Sequence, residues 1–392
     1  MKKVTILSLH LGYGGIEKAV VNLANNLCSN YDVRIVSIYK LHNEAPFKLN
    51  SNVKVTYLMS GDIALKTDSY KRNLKKLKIV SLLKELFKDY RFNIFRLIKD
   101  TFLSVVNIIN KRKLVKKYII NSNDDIFIST RDFLNKVLGK NKKSNQLGIG
   151  WEHNHHNGNK KYFNKICKSV HNLDYFVLVS KELHNDYSKA LVNTNCKCVY
   201  IPNMVEIEVD KLSTLNNHNL ITVSRLSEEK GIYDLIDVVG LVKNDIPDIK
   251  LNLIGDGPLF NNILDYVREK DLQDNIHLLG FRESKDVYKY LSESSLYVMT
   301  SFTESFGIVL LEAFSFGVPA IAFDSASGAC EIIDNEKNGI LIANRDKKQM
   351  ANRIVDYLNN KKLQKELSKG TQKDLSRYYP DCVILMWKEI FR

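Results

Sequence analysis

The stretch "TESFGIVLLEAFSFG" (303–317) holds two glutamates, Glu304 and Glu312, eight residues apart. Glu312 is flanked by Val309, Leu310, Leu311, Ala313 and Phe314, so the helix expected over 306–317 is apolar nearly all round. A carboxylate on such a helix needs a partner or a cleft, because burying it bare is costly. The plainer reading is a surface residue of an amphipathic helix. Glu304 is expected in the loop before the helix. Between the two, Ser305, Phe306 and Gly307 would form a helix N-terminus, whose unpaired N–H groups favour an anion such as phosphate. In "VSRLSEEKG" (223–231), Arg225 follows a strand-like run and Lys230 stands just before a helix-like one. Both would fall at the C-terminal edge of a parallel sheet, where open α/β proteins bind ligands. Two cations there suit a diphosphate; a solvated pair is the alternative.

A third stretch, "WEHNHHN" (151–157), places His153, His155 and His156 at i, i+2 and i+3. A helical zinc pair usually sits at i, i+4, or arrives with cysteines at C-x-x-C spacing. Neither spacing occurs here, and a solvated polar loop is the plainer reading from spacing alone.

These residues need elements to hold them. "VTILSLHL" (4–11) reads as a strand, "GYGG" (12–15) as a turn, and "IEKAVVNLANNLCS" (16–29) as a helix with apolar residues at Ile16, Val20, Leu23, Ala24 and Leu27. "VRIVSIY" (33–39) is the next strand. A glycine turn between strand and helix is how an open parallel sheet sets backbone N–H groups beside a ligand. Strand-like runs return at "DIFIST", "QLGIGW" and "YFVLVS", and the Pro-Asn punctuation of "VYIPN" (199–203) marks a linker. A second alternation follows: strands at "NLITVSR", "IKLNLIG", "NIHLLG", "SLYVMTS" and "VPAIAF", with helices between them. Pro258, in the turn "GDGP", suits the first position of the next helix. Two such series imply two open parallel sheets with helices on both faces.

The length of 392 residues fits two domains. With 44% hydrophobic and 26% charged residues the composition is that of a soluble globular chain. The N-terminal apolar run is broken by Thr5, Ser8 and His10 and precedes no small-residue cleavage site, so it reads as a buried strand rather than a signal peptide. No apolar run is long enough for a transmembrane helix. Six scattered cysteines without C-x-x-C read as reduced cytosolic thiols. The net charge of +14 is concentrated: residues 66–117 carry 16 Lys/Arg against 4 Asp/Glu, leaving only +2 for the rest. A basic balance confined to one block indicates a local docking surface rather than a chain-wide nucleic-acid binder.

Together these stretches resemble the retaining glycosyltransferases of family 4, of the bacterial envelope and capsular polysaccharide type. "GGIEKAV" resembles the G-G-x-E-[RK] turn, "VSRLSEEKG" the R-x(4)-K-G segment, "LIGDGP" the G-x-G-P turn, "IHLLGF" the nucleobase-side strand and "ESFGIVLLEA" the E-x(7)-E motif. Five matches in the right order cover nearly the whole chain. The resemblance implies the α/β GT-B fold: two Rossmann-like domains facing across a cleft, here 1–202 on the acceptor side, with a basic amphipathic helical segment at 66–120, and 203–375 on the nucleotide-sugar side. A C-terminal helix at 376–392 would cross back to the first domain, anchored by Trp387. The resemblance also implies roles. Gly14 and Gly15 would let the first turn approach the donor diphosphate. Arg225 and Lys230 would neutralise it, and Glu304 would contact the transferred sugar. Glu312 would bind the ribose hydroxyls, and backbone near Phe281 and Arg282 would read the base. Ser305, Phe306 and Gly307 would hold phosphate and sugar. His153 would meet the donor sugar, whereas His155 and His156 match nothing in the pattern. No D-x-D occurs in the chain, which agrees with transfer that needs no cofactor and no divalent metal.

The expected activity is retaining transfer of a hexosyl unit from a nucleotide-diphosphate sugar, uridine being preferred over guanosine, to a hydroxyl of a glycan acceptor. Lysine-bordered amphipathic helices suit an anionic membrane, so the expected acceptor is a lipid-linked saccharide met by a cytoplasmic enzyme, peripheral on the inner face of the cell membrane. The alternatives are a related enzyme with a soluble or protein acceptor, a degenerate partner subunit and a basic nucleic-acid-binding protein. Intact Arg225, Lys230, Glu304 and Glu312 argue against the second. The absence of a nucleic-acid motif argues against the third.

Overall fold

The structure is a computed structural model describing residues 1–42, 45–61 and 91–392. Most of the basic block expected over 66–120 lies outside the described residues, which include its last part as a helix, Arg91–Asn121.

The first domain is a seven-stranded parallel sheet. Its strands are β1 (Lys3–His10), β2 (Asp32–Lys40), β3 (Lys54–Ser60), β4 (Ile126–Ser129), β5 (Leu147–Glu152), β6 (Tyr175–Leu178) and β7 (Lys197–Tyr200), in the order β3-β2-β1-β4-β5-β6-β7. The helices are α1 (Gly15–Leu27), α2 (Arg91–Asn121), α3 (Asp132–Asn141), α4 (Lys160–Val170) and α5 (Lys181–Leu191). β4 is buried at every position, as a strand covered on both faces must be, which is why "IFIS" reads as a continuous apolar run.

The second domain is a six-stranded parallel sheet. Its strands are β8 (Asn219–Val223), β9 (Lys250–Ile254), β10 (Ile276–Gly280), β11 (Leu296–Met299), β12 (Ala320–Phe323) and β13 (Gly339–Ile342), in the order β10-β9-β8-β11-β12-β13. Its helices are α6 (Ile232–Val242), α7 (Phe260–Glu269), α8 (Ser284–Ser292), α9 (Ile308–Ser315), α10 (Ser327–Ile332), α11 (Lys347–Asn359) and α12 (Lys361–Leu375). Each sheet reverses its order once, between β1 and β4 and between β8 and β11. Open sheets bind ligands at the carboxyl ends of the strands beside such a reversal. The loops after β1, β5, β8 and β11, which carry most of the expected site residues, leave those ends.

The last helix, α13 (Pro380–Ile390), lies on the first domain. Trp387 is fully buried. Its ring meets Trp151 at the end of β5 edge-on, 5.0 Å between centroids. Lys388 Nζ donates to Asn30 Oδ1 at 2.7 Å, and Lys2 Nζ to the Phe391 carbonyl at 2.8 Å.

Two boundaries differ from the sequence reading. The helix expected from Phe306 begins at Ile308, because Gly307 sits at φ 88°, a left-handed conformation that cannot continue a helix. The helix expected at Pro258 begins at Phe260, because Leu259, at φ −96° and ψ 1°, is not helical and caps it. The edge strands β3 and β13 carried no expectation at all.

Trp387→Ala empties a fully buried ring site and is expected to cost about 3–5 kcal/mol, read as a lower urea midpoint by far-UV circular dichroism. Leu385, on the same helix, is 61% exposed. Its replacement by alanine is expected to stay within about 0.5 kcal/mol of the parent. Equal midpoints for the two variants would show that α13 is not held through Trp387.

Candidate active site

The two sheet edges enclose a cavity of about 470 Å³, lined from the first domain by the β1–α1 turn and the loop after β5, and from the second by the loops after β8 and β11. Gly14 and Gly15 line it together. A Cβ at Gly14 would lie 2.2 Å from Glu17 Oε2, whereas one at Gly15 would meet nothing within 4 Å. Glu17 is buried under the turn, and burial pushes its carboxyl above the usual carboxylate range. Arg131, at 3.6 Å, works against that shift.

His153 is 8% exposed and lines the cavity. Its ring rests on Trp151, 4.2 Å between centroids. Its Nε2 is buried and makes no hydrogen bond with the described residues. Burial, with Arg131 adding to it, drives the imidazole down to about 3, so the ring stays neutral at ordinary pH. The turn that aims it is set by Glu152, whose Oε1 accepts from the backbone N–H of His153 at 3.1 Å and of Asn154 at 2.8 Å. His155 also lines the cavity and lies 2.7 Å from Asn157 Oδ1. His156 turns away to Asp186, 2.8 Å distant. Among the described residues no group of three or more His, Cys, Asp or Glu is arranged to hold a metal ion.

From the second domain, Arg225 is exposed in the cavity wall, and its guanidinium makes no hydrogen bond or ion pair with the described residues. Lys230 Nζ lies 2.5 Å from Glu304 Oε2, joining the expected phosphate-side cation to the expected sugar-side carboxylate. Ser305, Phe306 and Gly307 line the same wall. Because α9 starts late, its free N–H groups are those of Ile308 and Val309, which line the cavity and have no side-chain cap.

Three expected residues lie elsewhere. Phe281 and Arg282 are exposed outside this cavity, with the Phe281 ring 4.2 Å from Tyr13 of the first domain. Glu312 is 5% exposed and its Oε1 is ion-paired with Lys18 Nζ, on α1 of the first domain. Lys18 also donates to the Tyr288 hydroxyl at 3.0 Å. Burial disfavours the Lys18 ammonium, but Glu312 outweighs it with help from Tyr288, and the group is held above the usual lysine range. The sequence reading asked for a partner or a cleft for Glu312; the partner is Lys18. It belongs to the quoted "GGIEKAV" turn, yet nothing local in the sequence pairs it with a residue 294 positions away. Two more links across the cleft went unread. Asn157 Nδ2 donates to Thr303 Oγ1 at 3.3 Å. Glu331 of α10 accepts the Lys181 N–H at the start of α5, at 2.8 Å, and the Tyr200 hydroxyl.

Residues 206–374 match the family described as glycosyl transferases group 1. An uncharacterized glycosyltransferase of Haemophilus influenzae is 24% identical over 397 residues, covering all of both chains. An exopolysaccharide phosphotransferase of Streptomyces coelicolor is 23% identical over the whole of this chain, which spans 40% of that relative's length. Among solved structures, TarM of S. aureus, in complex with UDP, fondaparinux and alpha-GlcNAc-glycerol, superposes at a TM-score of 0.77 with 18% identity, over all of both chains. The two-sheet architecture is the GT-B fold, and most of its second half, residues 206–374, matches the glycosyl transferases group 1 family.

Proposed function

We propose that the chain is a retaining, metal-independent glycosyltransferase. It moves a hexosyl unit from a UDP-linked sugar to a hydroxyl of a glycan acceptor, a lipid-linked saccharide of the cell envelope. The observation that carries the reading is a single cavity with opposed chemistries. One wall has Arg225, Lys230 and the open N–H groups of α9; the other has His153, a neutral ring whose buried Nε2 has no hydrogen-bond partner among the described residues. Breaking a sugar–diphosphate bond builds negative charge on the leaving oxygen and positive charge on the ring. Fixed cations and N–H dipoles meet the first without reorganising. Glu304, poised by Lys230, stands beside the second. His153 orients the sugar through a hydrogen bond instead of moving a proton. With no obvious carboxylate nucleophile in the sequence, the acceptor hydroxyl attacks on the face the phosphate leaves, passing its proton to that phosphate. Domain approach supplies orientation and excludes water. The uridine donor draws support from the UDP bound by TarM.

The acceptor reading rests on the basic block at 66–117 and its attraction to anionic lipid, which would make the protein peripheral on the cytoplasmic face. No helix among the described residues is long and apolar enough to cross a membrane.

Three measurements test the reading. In a thermal-shift screen with UDP, GDP, ADP and dTDP, UDP at about 100 times its dissociation constant is expected to add roughly 2.7 kcal/mol. Stabilisation by none of the four would sink the donor assignment. Lys230→Met is expected to lower turnover about 10²–10³-fold, and EDTA to leave the parent rate unchanged.

His153 gives a pH test. Its folded value lies near 3 against an unfolded 6.5, so only the unfolded chain gains this proton as pH falls between them. That contribution to stability is full above 6.5 and is lost progressively toward 3. His153→Gln lacks the loss, so the melting-temperature advantage of the parent over this variant should shrink from pH 7 to pH 4. A constant difference would mean that the imidazole titrates normally and is not the neutral group proposed.

A further inference from the structure

Glu312 lies on one of the most apolar helices of the chain, with Leu310, Leu311, Ala313 and Phe314 buried around it. Its charge is met from the other domain. Lys18 Nζ occupies Oε1, while Oε2 makes no hydrogen bond with the described residues. Lys18 is fixed in turn: its ammonium takes the Tyr288 hydroxyl at 3.0 Å and lies 5.2 Å from the centre of that ring. A lysine is a point charge on a flexible stem, and two partners at its head remove that flexibility. The carboxylate is therefore held at one oxygen and has no partner among the described residues at the other.

The counter-ion of this carboxylate leads to a second cavity, which Glu312 itself does not line. Lys18 and Tyr288 line this interdomain cavity, about 540 Å³, whose wall continues through Glu283 and Ser284. Those residues follow directly on Phe281 and Arg282, the segment expected to read the base. The same stretch of the first domain reaches this side twice, through Lys18 to Glu312 and through Tyr13 to Phe281. A nucleoside bound along Phe281 and Glu312 would touch the second domain directly while depending on the first for the setting of its ribose contact.

We infer that Lys18 is a positioning residue for the donor nucleoside. From the first domain it holds Oε1 of Glu312 and leaves Oε2 to accept from the ribose hydroxyls, so the ribose contact is complete only when the two domains are together. The inference rests on the donor assignment proposed above. It places a determinant of nucleotide affinity outside the domain that binds the nucleotide.

The experiment is calorimetric titration of the full chain with UDP and with 2′,3′-dideoxy-UDP. The parent is expected to prefer UDP by about tenfold or more. Lys18→Met should weaken UDP by about tenfold and barely change the dideoxy form, bringing the ratio of the two affinities close to one. Lys18→Arg, which keeps the charge, should restore part of the ratio. Tyr288→Phe removes only the hydroxyl that fixes Lys18 and leaves Glu312 paired; it should lower the ratio by a few-fold and serves where Lys18→Met does not fold. Equal weakening of both ligands would reduce Lys18 to a general structural role and overturn the inference. So would tighter UDP binding by Lys18→Met, since Lys18 would then be a competitor for Glu312. A parent that binds neither ligand would instead remove the donor assignment itself.

Discussion

A parallel sheet clothed by helices on both faces has its chemistry confined to one edge. Its strands are saturated by neighbours, its faces are dry, and only the loops at the carboxyl ends can present polar groups to a ligand. This chain builds two such sheets and turns those edges toward each other. Each wall of the cleft therefore comes from a different core, and residues that act together need not share any local structure. His153 is set by a strand end and a buried carboxylate in one sheet. Lys230 and Glu304 are set by two loops of the other.

Apart from the ring contact of Tyr13 with Phe281, what joins the walls is polar and sparse. Lys18 with Glu312 and Tyr288, Asn157 with Thr303, and Glu331 with Lys181 and Tyr200 are isolated links, each anchored in its own domain. The lasting attachment is elsewhere, where α13 seats Trp387 against Trp151. The division suits a cleft that must admit and release a ligand. Apolar burial fixes the hinge side, where nothing needs to move. Ion pairs and single hydrogen bonds, which water can replace, close the side that must open.

The sequence was legible where a residue answers to its own neighbours. Continuous apolar runs placed β4, β6 and β12, glycine turns placed the phosphate-side loops, and the apolar setting of Glu312 announced a missing partner. It was opaque where the answer came from a distance or from one dihedral angle. Lys18 has a helical environment that would suit any surface lysine, and only the juxtaposition of two domains makes it a counter-ion. Gly307 reads as a residue of a helix until its left-handed φ moves the free N–H groups to Ile308 and Val309. β3 has a half-buried interior at a sheet edge, where burial imposes too little pattern to read, and β13 is largely buried but only four residues long.

The ring contact at the crossing helix also decides how the molecule is seen by light. Trp151 and Trp387 are the chain's two tryptophans, and they touch. Indole emission therefore comes from one coupled pair where the last helix meets the end of β5, with His153 of the cleft wall against one of its rings. The second domain, with its nucleotide-side residues, is dark in that channel. A change in intrinsic fluorescence would report the seating of the last helix or a disturbance at His153, whereas a ligand that stayed on the second domain and touched neither could bind in full while the spectrum stayed as it was.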